Sequence, residues 1–222
     1  MTVSTRMHVE PITLAGRYVR LVPLTLDHTA ALARVGLDPE LWRLQPSVID
    51  TDNAMRDYVQ TALVAQREGT ALPFAIVDQA RDLVIGSTRY MDIAPQHRRL
   101  EIGATWLAPG VQRTAANTES KLLLLTHAFE RLAAMRVVFK TEVLNAKSRA
   151  ALERIGAIEE GTFRKHLMAD TGRARDMVYY AILEDEWPGI KSRLEQLLER
   201  HEGRGGSAVL GKLDVMARAR ST

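Results

Sequence analysis

The segment from Leu100 to Gly156 constrains the fold most, because strand and helix patterns alternate along it in a definite order. Residues 100–107 alternate apolar and polar side chains, as a half-buried strand does, and Pro109-Gly110 ends this pattern. An apolar crossover helix is predicted over 114–133, and the β-branched run at 137–141 predicts a second strand. Because a helix separates these two strands, we expect them to pair in parallel.

The other predicted strands are near neighbours in sequence and should pair in antiparallel fashion. Hairpins are predicted for 74–77 with 83–86 and for 157–168 with 173–183. Further predicted elements are a strand within 13–24, a helix from Thr25 to Ala33, a helix from Asp52 or Asn53 to Gly69, and a last helix carrying Trp187. Irregular chain is predicted over 36–50, and a loosely held lead-in over 1–12. The sequence therefore predicts an α/β (α+β) domain with a mixed, mostly antiparallel sheet flanked by helices.

Composition excludes several chemistries. Hydrophobic residues make up 46% of the 222 residues, enough for a core that needs neither disulfides nor metals. The chain has no cysteine, which excludes disulfide scaffolds, thiolate zinc sites and a cysteine nucleophile. No set of His, Asp and Glu has metal-ligand spacing, and the Gly-x-Ser-x-Gly pattern is absent, so we expect no metal and no serine-hydrolase elbow.

The net charge of +3 is concentrated at the C-terminus. Residues 203–222 hold four basic residues and one acidic residue, 4 − 1 = 3, so the remaining chain has 26 of each sign. We therefore expect a domain over 13–200 and a basic tail over 201–222, and only the tail or a local patch would attract nucleic acid. No apolar run is long enough to span a bilayer and no secretory signal pattern opens the chain, which favours a cytoplasmic protein with no membrane partner.

The order of elements over 100–156 closely resembles the acetyl-CoA-binding core of the GNAT superfamily of N-acetyltransferases. Short motifs resemble its RimJ/RimL-like (ribosomal-protein-alanine N-acetyltransferase-type) branch: Asn145-Ala146-Lys147-Ser148-Arg149, Ile155-Gly156-Ala157, Glu160-Gly161-Thr162-Phe163-Arg164, Arg175-Asp176 and Asp185-Glu186-Trp187-Pro188. The resemblance covers roughly residues 13–200. It implies acetyl-CoA as co-substrate, held in a gap where the parallel strands splay apart, and direct acetyl transfer to a primary amine in a ternary complex.

The turn before the crossover helix is the predicted pyrophosphate site. Unpaired N–H groups at a helix N-terminus carry partial positive charge, and Arg113 adds a full one. The predicted contacts are Gln112, Arg113, Thr114, Ala115, Ala116 and Asn117. Gln112 matches the family pattern, whereas Ala115 replaces a glycine and Asn117 occupies a small-residue position. The alternative is an ordinary helix cap by Thr114 or Asn117.

The strand over 100–107 is predicted to serve the thioester and the amine. The resemblance implies that a backbone N–H among Thr105, Trp106 and Leu107 holds the thioester oxygen. Gly103 suits either a close approach of another chain or a simple bulge. Glu101 faces away from Leu100 and Ile102 and is the candidate general base; the alternative is a solvent-facing charge.

A short helix is predicted after the strand at 137–141, starting at Asn145 and ending at Gly156, and the loop that opens it is predicted to serve the cofactor's sulfur end. The resemblance implies that Asn145 contacts the pantetheine and that Ser148 donates a proton to the thiolate. The tyrosine that many members use for this proton is missing, because Leu152 and Glu153 occupy its position. The alternative is that Asn145 and Ser148 only cap the helix.

The sequence leaves two other functions open. One is a GNAT-like module that binds acyl-CoA without turnover, and the other is a nucleic-acid-associated protein acting through the tail. The resemblance does not distinguish a protein N-terminal α-amine from a small amine or amino-acid derivative as acceptor, and the sequence does not indicate an oligomeric state. His166 either binds an acidic group of the acceptor or is a solvated strand residue.

Overall fold

The computed structural model describes residues 7–202, which are organised by one open sheet of eight strands. The strands are β1 (Leu14–Ala15), β2 (Val19–Pro23), β3 (Leu72–Asp78), β4 (Leu83–Ala94), β5 (Arg99–Leu107), β6 (Arg136–Glu142), β7 (Ile158–Met168) and β8 (Ala174–Leu183). Their spatial order is β1-β2-β3-β4-β5-β6-β8-β7. β5 and β6 pair in parallel, and the other neighbouring strands pair in antiparallel fashion. The predicted mixed, mostly antiparallel sheet is confirmed.

Helices cover both faces of the sheet. They are α1 (Thr29–Gly36), α2 (Pro39–Trp42), α3 (Asp52–Arg67), α4 (Ala115–Thr126), α5 (Ala146–Ile155) and α6 (Trp187–Glu202). One core cluster joins Leu124 of α4, Leu152 of α5 and Leu194 of α6 to the sheet. A second cluster joins α1, α2 and α3 to the opposite face, where Trp106 lies. Among the helices of residues 7–202, none is both long and apolar enough to cross a membrane.

Local sequence explains the helix that packs beside the candidate site. The Thr51 side chain accepts a hydrogen bond from the Ala54 N–H at 3.2 Å and caps α3. The cap is therefore Thr51, and the prediction of Asp52 or Asn53 is wrong by one or two residues. Met55, Val59 and Ala62 recur on one face of α3 and are buried against the sheet.

Four other predicted features differ from the structure. The crossover helix ends at Thr126 and continues as a π-helical turn over 127–131. A 3₁₀ turn at 26–28 follows Thr25, and α1 then extends to Gly36. The irregular stretch 36–50 contains α2, because the Asp38 side chain accepts from the Glu40 N–H at 3.0 Å. In the described part of the lead-in, Met7 is only 3% exposed and packs in the core.

A buried carboxylate ties α4 to the edge of the sheet. Glu119 accepts hydrogen bonds from the backbone N–H groups of Arg17, Tyr18 and Val19 at 2.7–2.8 Å. A Cβ atom at Gly16 would lie 2.4 Å from the Glu119 carboxyl carbon, so this turn requires glycine. Because charge-assisted hydrogen bonds are strong, this contact fixes where α4 lies relative to the sheet.

The basic tail, from residue 203 onward, lies outside the described residues, and its prediction stays untested.

Candidate active site

The parallel strands separate after three residue pairs. Arg99, Leu100 and Glu101 pair with Arg136, Val137 and Val138, and no pairing between the two strands follows. β5 nevertheless runs on to Leu107, and β6 to Glu142. A gap therefore opens between the strands, with Glu101 and Val138 at its apex, and it is flanked by backbone N–H and C=O groups that the partner strand does not pair.

A bulge re-aims β5 along this gap. Ser87 pairs with Trp106 and Arg89 pairs with Gly103, so Ala104 and Thr105 together oppose the single residue Thr88. Ala104 has φ = 46°, which a non-glycine residue rarely adopts. Such strain costs on the order of 1–3 kcal/mol and often accompanies functional geometry.

The predicted thioester contacts lie at and beyond this bulge. Thr105 is half-buried, and its hydroxyl lies 2.8 Å from that of Thr88. The side chains of Trp106 and Leu107 are buried in the two core clusters, on opposite faces. For these two residues only the backbone could therefore serve a ligand, as the prediction requires.

The predicted pyrophosphate turn is a capped helix N-terminus. The Thr114 hydroxyl accepts from the Ala116 N–H at 3.1 Å and donates to the Val111 carbonyl at 2.8 Å. Gln112 is exposed and donates from Nε2 to the Leu107 carbonyl at 3.2 Å. Arg113 is also exposed, with φ = 64°.

This geometry explains why alanine can replace glycine in the turn. Ala115 begins α4 and does not have a positive φ, because the left-handed residue of the turn is Arg113. Ala115 and Ala116 are small and buried, and Asn117 is half-buried. Thr114 acts as a cap, as the alternative proposed, and capping one N–H does not prevent the others from binding an anion.

Asn145 and Ser148 lie together where β6 has ended. The Asn145 side-chain oxygen accepts from the Ser148 N–H at 3.1 Å, so Asn145 caps α5. Ser148 is half-buried, and within residues 7–202 its hydroxyl forms no hydrogen bond. Leu152, at the position of the family's tyrosine, is buried in the core and offers no proton.

Glu101 is buried at the apex of the gap, with 3% exposure, so it is not the solvent-facing charge of the alternative. Its Oε2 lies 2.8 Å from the Lys140 Nζ, which is also 3.3 Å from Asp92 Oδ2. Burial raises the pKa of Glu101 to about 7, although the Lys140 ammonium opposes this shift. A Cβ at Gly103 would lie 2.6 Å from Glu101 Oε1, so the glycine leaves room for this carboxylate, and the predicted close approach of another chain stays a prediction.

Lys121, which no sequence pattern indicated as a site residue, reaches into the gap from α4. Its Nζ donates to the Thr105 hydroxyl at 3.0 Å on β5 and lies 5.5 Å from the Phe139 ring centroid on β6. The side chain is 6% exposed, and burial lowers its pKa to about 7. No sequence pattern indicated Lys140 either. Neither lysine belongs to a recognisable motif, since Lys121 precedes an apolar helix run and Lys140 lies within an apolar strand.

His166, the candidate for binding an acidic group of the acceptor, contacts a neighbouring strand residue. It is exposed, and its Nε2 lies 2.8 Å from the Tyr179 hydroxyl. Among residues 7–202 no group of three or more His, Asp and Glu side chains could hold a metal ion.

A mixed sheet that opens between its parallel strands, with a helix N-terminus following one of them, defines the fold of GNAT acetyltransferases. The chain belongs to this family, because residues 19–158 match the acetyltransferase (GNAT) domain. The family prediction is confirmed.

The relatives agree with this assignment. The chain is 42% identical over 95 residues to a Bacillus subtilis (strain 168) protein named ribosomal N-acetyltransferase YdaF, a match that spans 43% of this chain and 51% of the relative. The chain thus matches about half the length of that curated relative. A solved structure from T. thermophilus, named an acetyltransferase, is 39% identical with a TM-score of 0.79, over 86% of this chain and 100% of that one.

The RimJ/RimL-like branch is also represented among the similar structures. Mycobacterium smegmatis RimJ in complex with CoA-disulfide has a TM-score of 0.73 over 84% of this chain and 95% of that one. At 24% identity this likeness concerns the fold alone.

Proposed function

We propose that this protein transfers an acetyl group from acetyl-CoA to a primary amine by direct attack in a ternary complex. The observation that carries the proposal is the buried Glu101 carboxylate at the apex of the gap between β5 and β6. Membership of the GNAT family supports the reaction type. A protein of the same fold, M. smegmatis RimJ, holds CoA-disulfide, which agrees with CoA as the carrier proposed from family membership.

The residues present fit acetyl-CoA. The unpaired edges of β5 and β6 offer backbone donors and acceptors to an extended pantetheine arm, in the manner of an added strand. The N-terminus of α4 offers N–H groups to the pyrophosphate, and the exposed Arg113 adds positive charge. Asn145 and Ser148 complete the contacts on the β6 side.

Acetyl-CoA supplies an acetyl group activated as a thioester. Glu101 accepts the proton that the amine must lose, directly or through water, as its nitrogen bonds to the carbonyl carbon and the bond from carbon to sulfur breaks. A base with a pKa of about 7 suits this role at neutral pH. The oxygen of the carbonyl group gains negative charge in this step, and a backbone N–H among Thr105, Trp106 and Leu107 stabilises it.

Two side chains complete the proposed chemistry. The Lys121 Nζ lies 3.0 Å from the Thr105 hydroxyl, beside the bulge where the carbonyl oxygen would lie, and in its protonated form it adds positive charge there. The Ser148 hydroxyl donates the proton that the departing thiolate gains and recovers a proton from water, while the proton taken up by Glu101 is released to water. With no tyrosine at the usual position, Ser148 is the hydroxyl that the loop after β6 provides.

The acceptor is either a protein N-terminal α-amine or a small amine. The name of the B. subtilis relative favours a ribosomal protein as acceptor. The test uses the full chain with acetyl-CoA, a panel of amino acids, and peptides with free N-termini, measuring free CoA and the mass of the acetylated product. Release of CoA that depends on the amine supports the proposal. Tight binding of acetyl-CoA without release by any amine would instead indicate a non-catalytic module.

A further inference from the structure

Arg89 on β4 is a buried cation that has no anionic partner among residues 7–202. The residue is 8% exposed, and its buried Nε atom forms no hydrogen bond within the described part of the chain. Within residues 7–202, no carboxylate lies within 4.0 Å of its guanidinium group. Buried charges in proteins are usually paired, because leaving water costs them solvation that only a partner can replace. An arginine of this kind suggests that its partner arrives with a ligand.

The Tyr58 ring lies against the Arg89 guanidinium. Its central carbon lies 4.4 Å from the centroid of the Tyr58 ring on α3. The Tyr58 hydroxyl donates to the Ala104 carbonyl at the bulge, at 3.4 Å, and accepts from Trp106 Nε1 at 3.3 Å. A cation–π contact is worth about 0.5–2 kcal/mol, yet it accepts none of the five N–H bonds that a guanidinium offers.

The pairing of β4 with β5 places Arg89 beside the candidate base. Arg89 pairs with Gly103 and Met91 pairs with Glu101. Residues two apart on a strand face the same side, so Arg89 and Glu101 are diagonal neighbours on one face, with Cα atoms about 7–8 Å apart. Gly103 and Ala104, which lie between them, are only half-buried. One small molecule could therefore contact both Glu101 and Arg89.

We infer that the acceptor amine carries a carboxylate group and that Arg89 binds it while the amine faces Glu101. This inference rests on the proposed acetyl transfer. Arginine presents a planar pair of N–H donors that matches a carboxylate. Lys140, the cation in contact with Glu101, is already paired with Glu101 and Asp92, so the carboxylate of the acceptor falls to Arg89.

The decisive test compares ligands that differ only in the carboxylate. Calorimetry measures binding of N-acetyl amino acids, the products of the proposed reaction, against their C-terminal amides. A second pair, N-acetyl-Ser-Glu-amide and N-acetyl-Ser-Gln-amide, carries the charge on a side chain and separates peptide from amino-acid acceptors. We expect one of the acidic ligands to bind about 10- to 100-fold more tightly than its neutral partner, the usual range for hydrogen bonds to a charged group.

Arg89→Gln should abolish that preference and leave binding of the neutral ligand unchanged. Arg56→Gln, which removes an exposed cation two residues from Tyr58, is the matched control and should keep it. Arg89→Lys keeps the positive charge but loses the planar pair of N–H donors, so it should show an intermediate preference for the acidic ligand. This variant replaces Arg89→Gln in the test if the glutamine variant does not fold. Wild-type protein that binds every acidic and neutral ligand equally overturns the inference.

Failure of the inference can be told apart from failure of the proposed function. If acidic and neutral amines are acetylated at equal rates, acetyl transfer stands and the role of Arg89 does not. If no amine is acetylated but Arg89→Gln still removes a carboxylate preference in binding, the anion site stands and the transfer reaction does not.

Discussion

The ion pair of Glu101 and Lys140 at the apex of the gap leads to predictions for two variants, which should differ in how their activity depends on pH. Glu101→Gln removes the proposed base, so kcat should fall by about 10²–10⁴-fold, the usual contribution of a general base. The remaining activity should follow the ionisation of the acceptor amine alone, and should recover at high pH where the free amine is abundant. Lys140→Met keeps the base but removes the cation that stabilises its charged form.

The size of the second effect follows from the geometry. At 2.8 Å between Lys140 Nζ and Glu101 Oε2, an effective dielectric constant of about 20 gives an attraction of about 6 kcal/mol. This is an upper bound, because the Lys140 side chain is partly exposed and solvent screens it. Opposite charges at this range typically lower a carboxyl pKa by about 1–3, so removing Lys140 should raise the pKa of Glu101 by that amount.

The expected outcome is an alkaline shift. The carboxylate is the active form, so wild-type kcat/KM should decline as pH falls through about 7. In Lys140→Met the same decline should begin about 1–3 pH units higher, lowering the rate at pH 7 by roughly 5-fold or more while restoring it at high pH. A thiol-trapping assay of CoA release from pH 5.5 to 9.5, repeated with two amines of different pKa, identifies the ionisation that belongs to the enzyme.

The control variant is Lys191→Met, which removes a lysine that pairs with Glu130, where α6 meets the turn after α4. It should leave the pH profile unchanged. A Lys140→Met profile that coincides with wild type would refute the electrostatic coupling. A Glu101→Gln enzyme with the wild-type rate at every pH would remove Glu101 from the mechanism.

Three further outcomes are expected. Ser148→Ala should lower kcat more than it weakens acetyl-CoA binding, and a change confined to the KM for acetyl-CoA would make Ser148 a cofactor contact only. Arg113→Glu should weaken acetyl-CoA binding at low salt by placing like charge beside the phosphates, and calorimetry showing unchanged affinity would move the pyrophosphate site elsewhere. Deleting residues 203–222 should leave the melting temperature and turnover nearly unchanged, whereas a large loss of either would show that the tail packs on the domain.

Much of the fold could be predicted because its signals are local. The parallel pair follows from two strand patterns separated by a helix pattern, and the α5 cap follows from Asn145 preceding the helix. The predicted boundaries of α3 and α4 were less accurate. Neither the Thr51 cap nor the π-helical turn at 127–131 leaves a strong signature in the pattern of a single sequence.

The candidate site could be predicted only in part. Alternation along the strand placed Glu101 on the opposite face from Leu100 and Ile102. It did not indicate that Glu101 is buried, because the residues that cover this side chain come from distant elements. Lys121 and Lys140 enter the site because the Lys121 side chain extends from α4 to Thr105 on β5 and the Lys140 side chain extends from β6 to Glu101. Such contacts arise from packing between elements, and no spacing of residues within one segment reports them.

The separation of β5 from β6 creates two strand edges inside the molecule. An outer edge with free N–H and C=O groups invites pairing with other chains and eventually aggregation. Here β4 and β8 occupy the far sides of the two strands, and the Lys121 side chain from α4 reaches between them. The unpaired N–H and C=O groups of β5 and β6 are thus available to a ligand, while the neighbouring strands hinder other polypeptides from pairing with them.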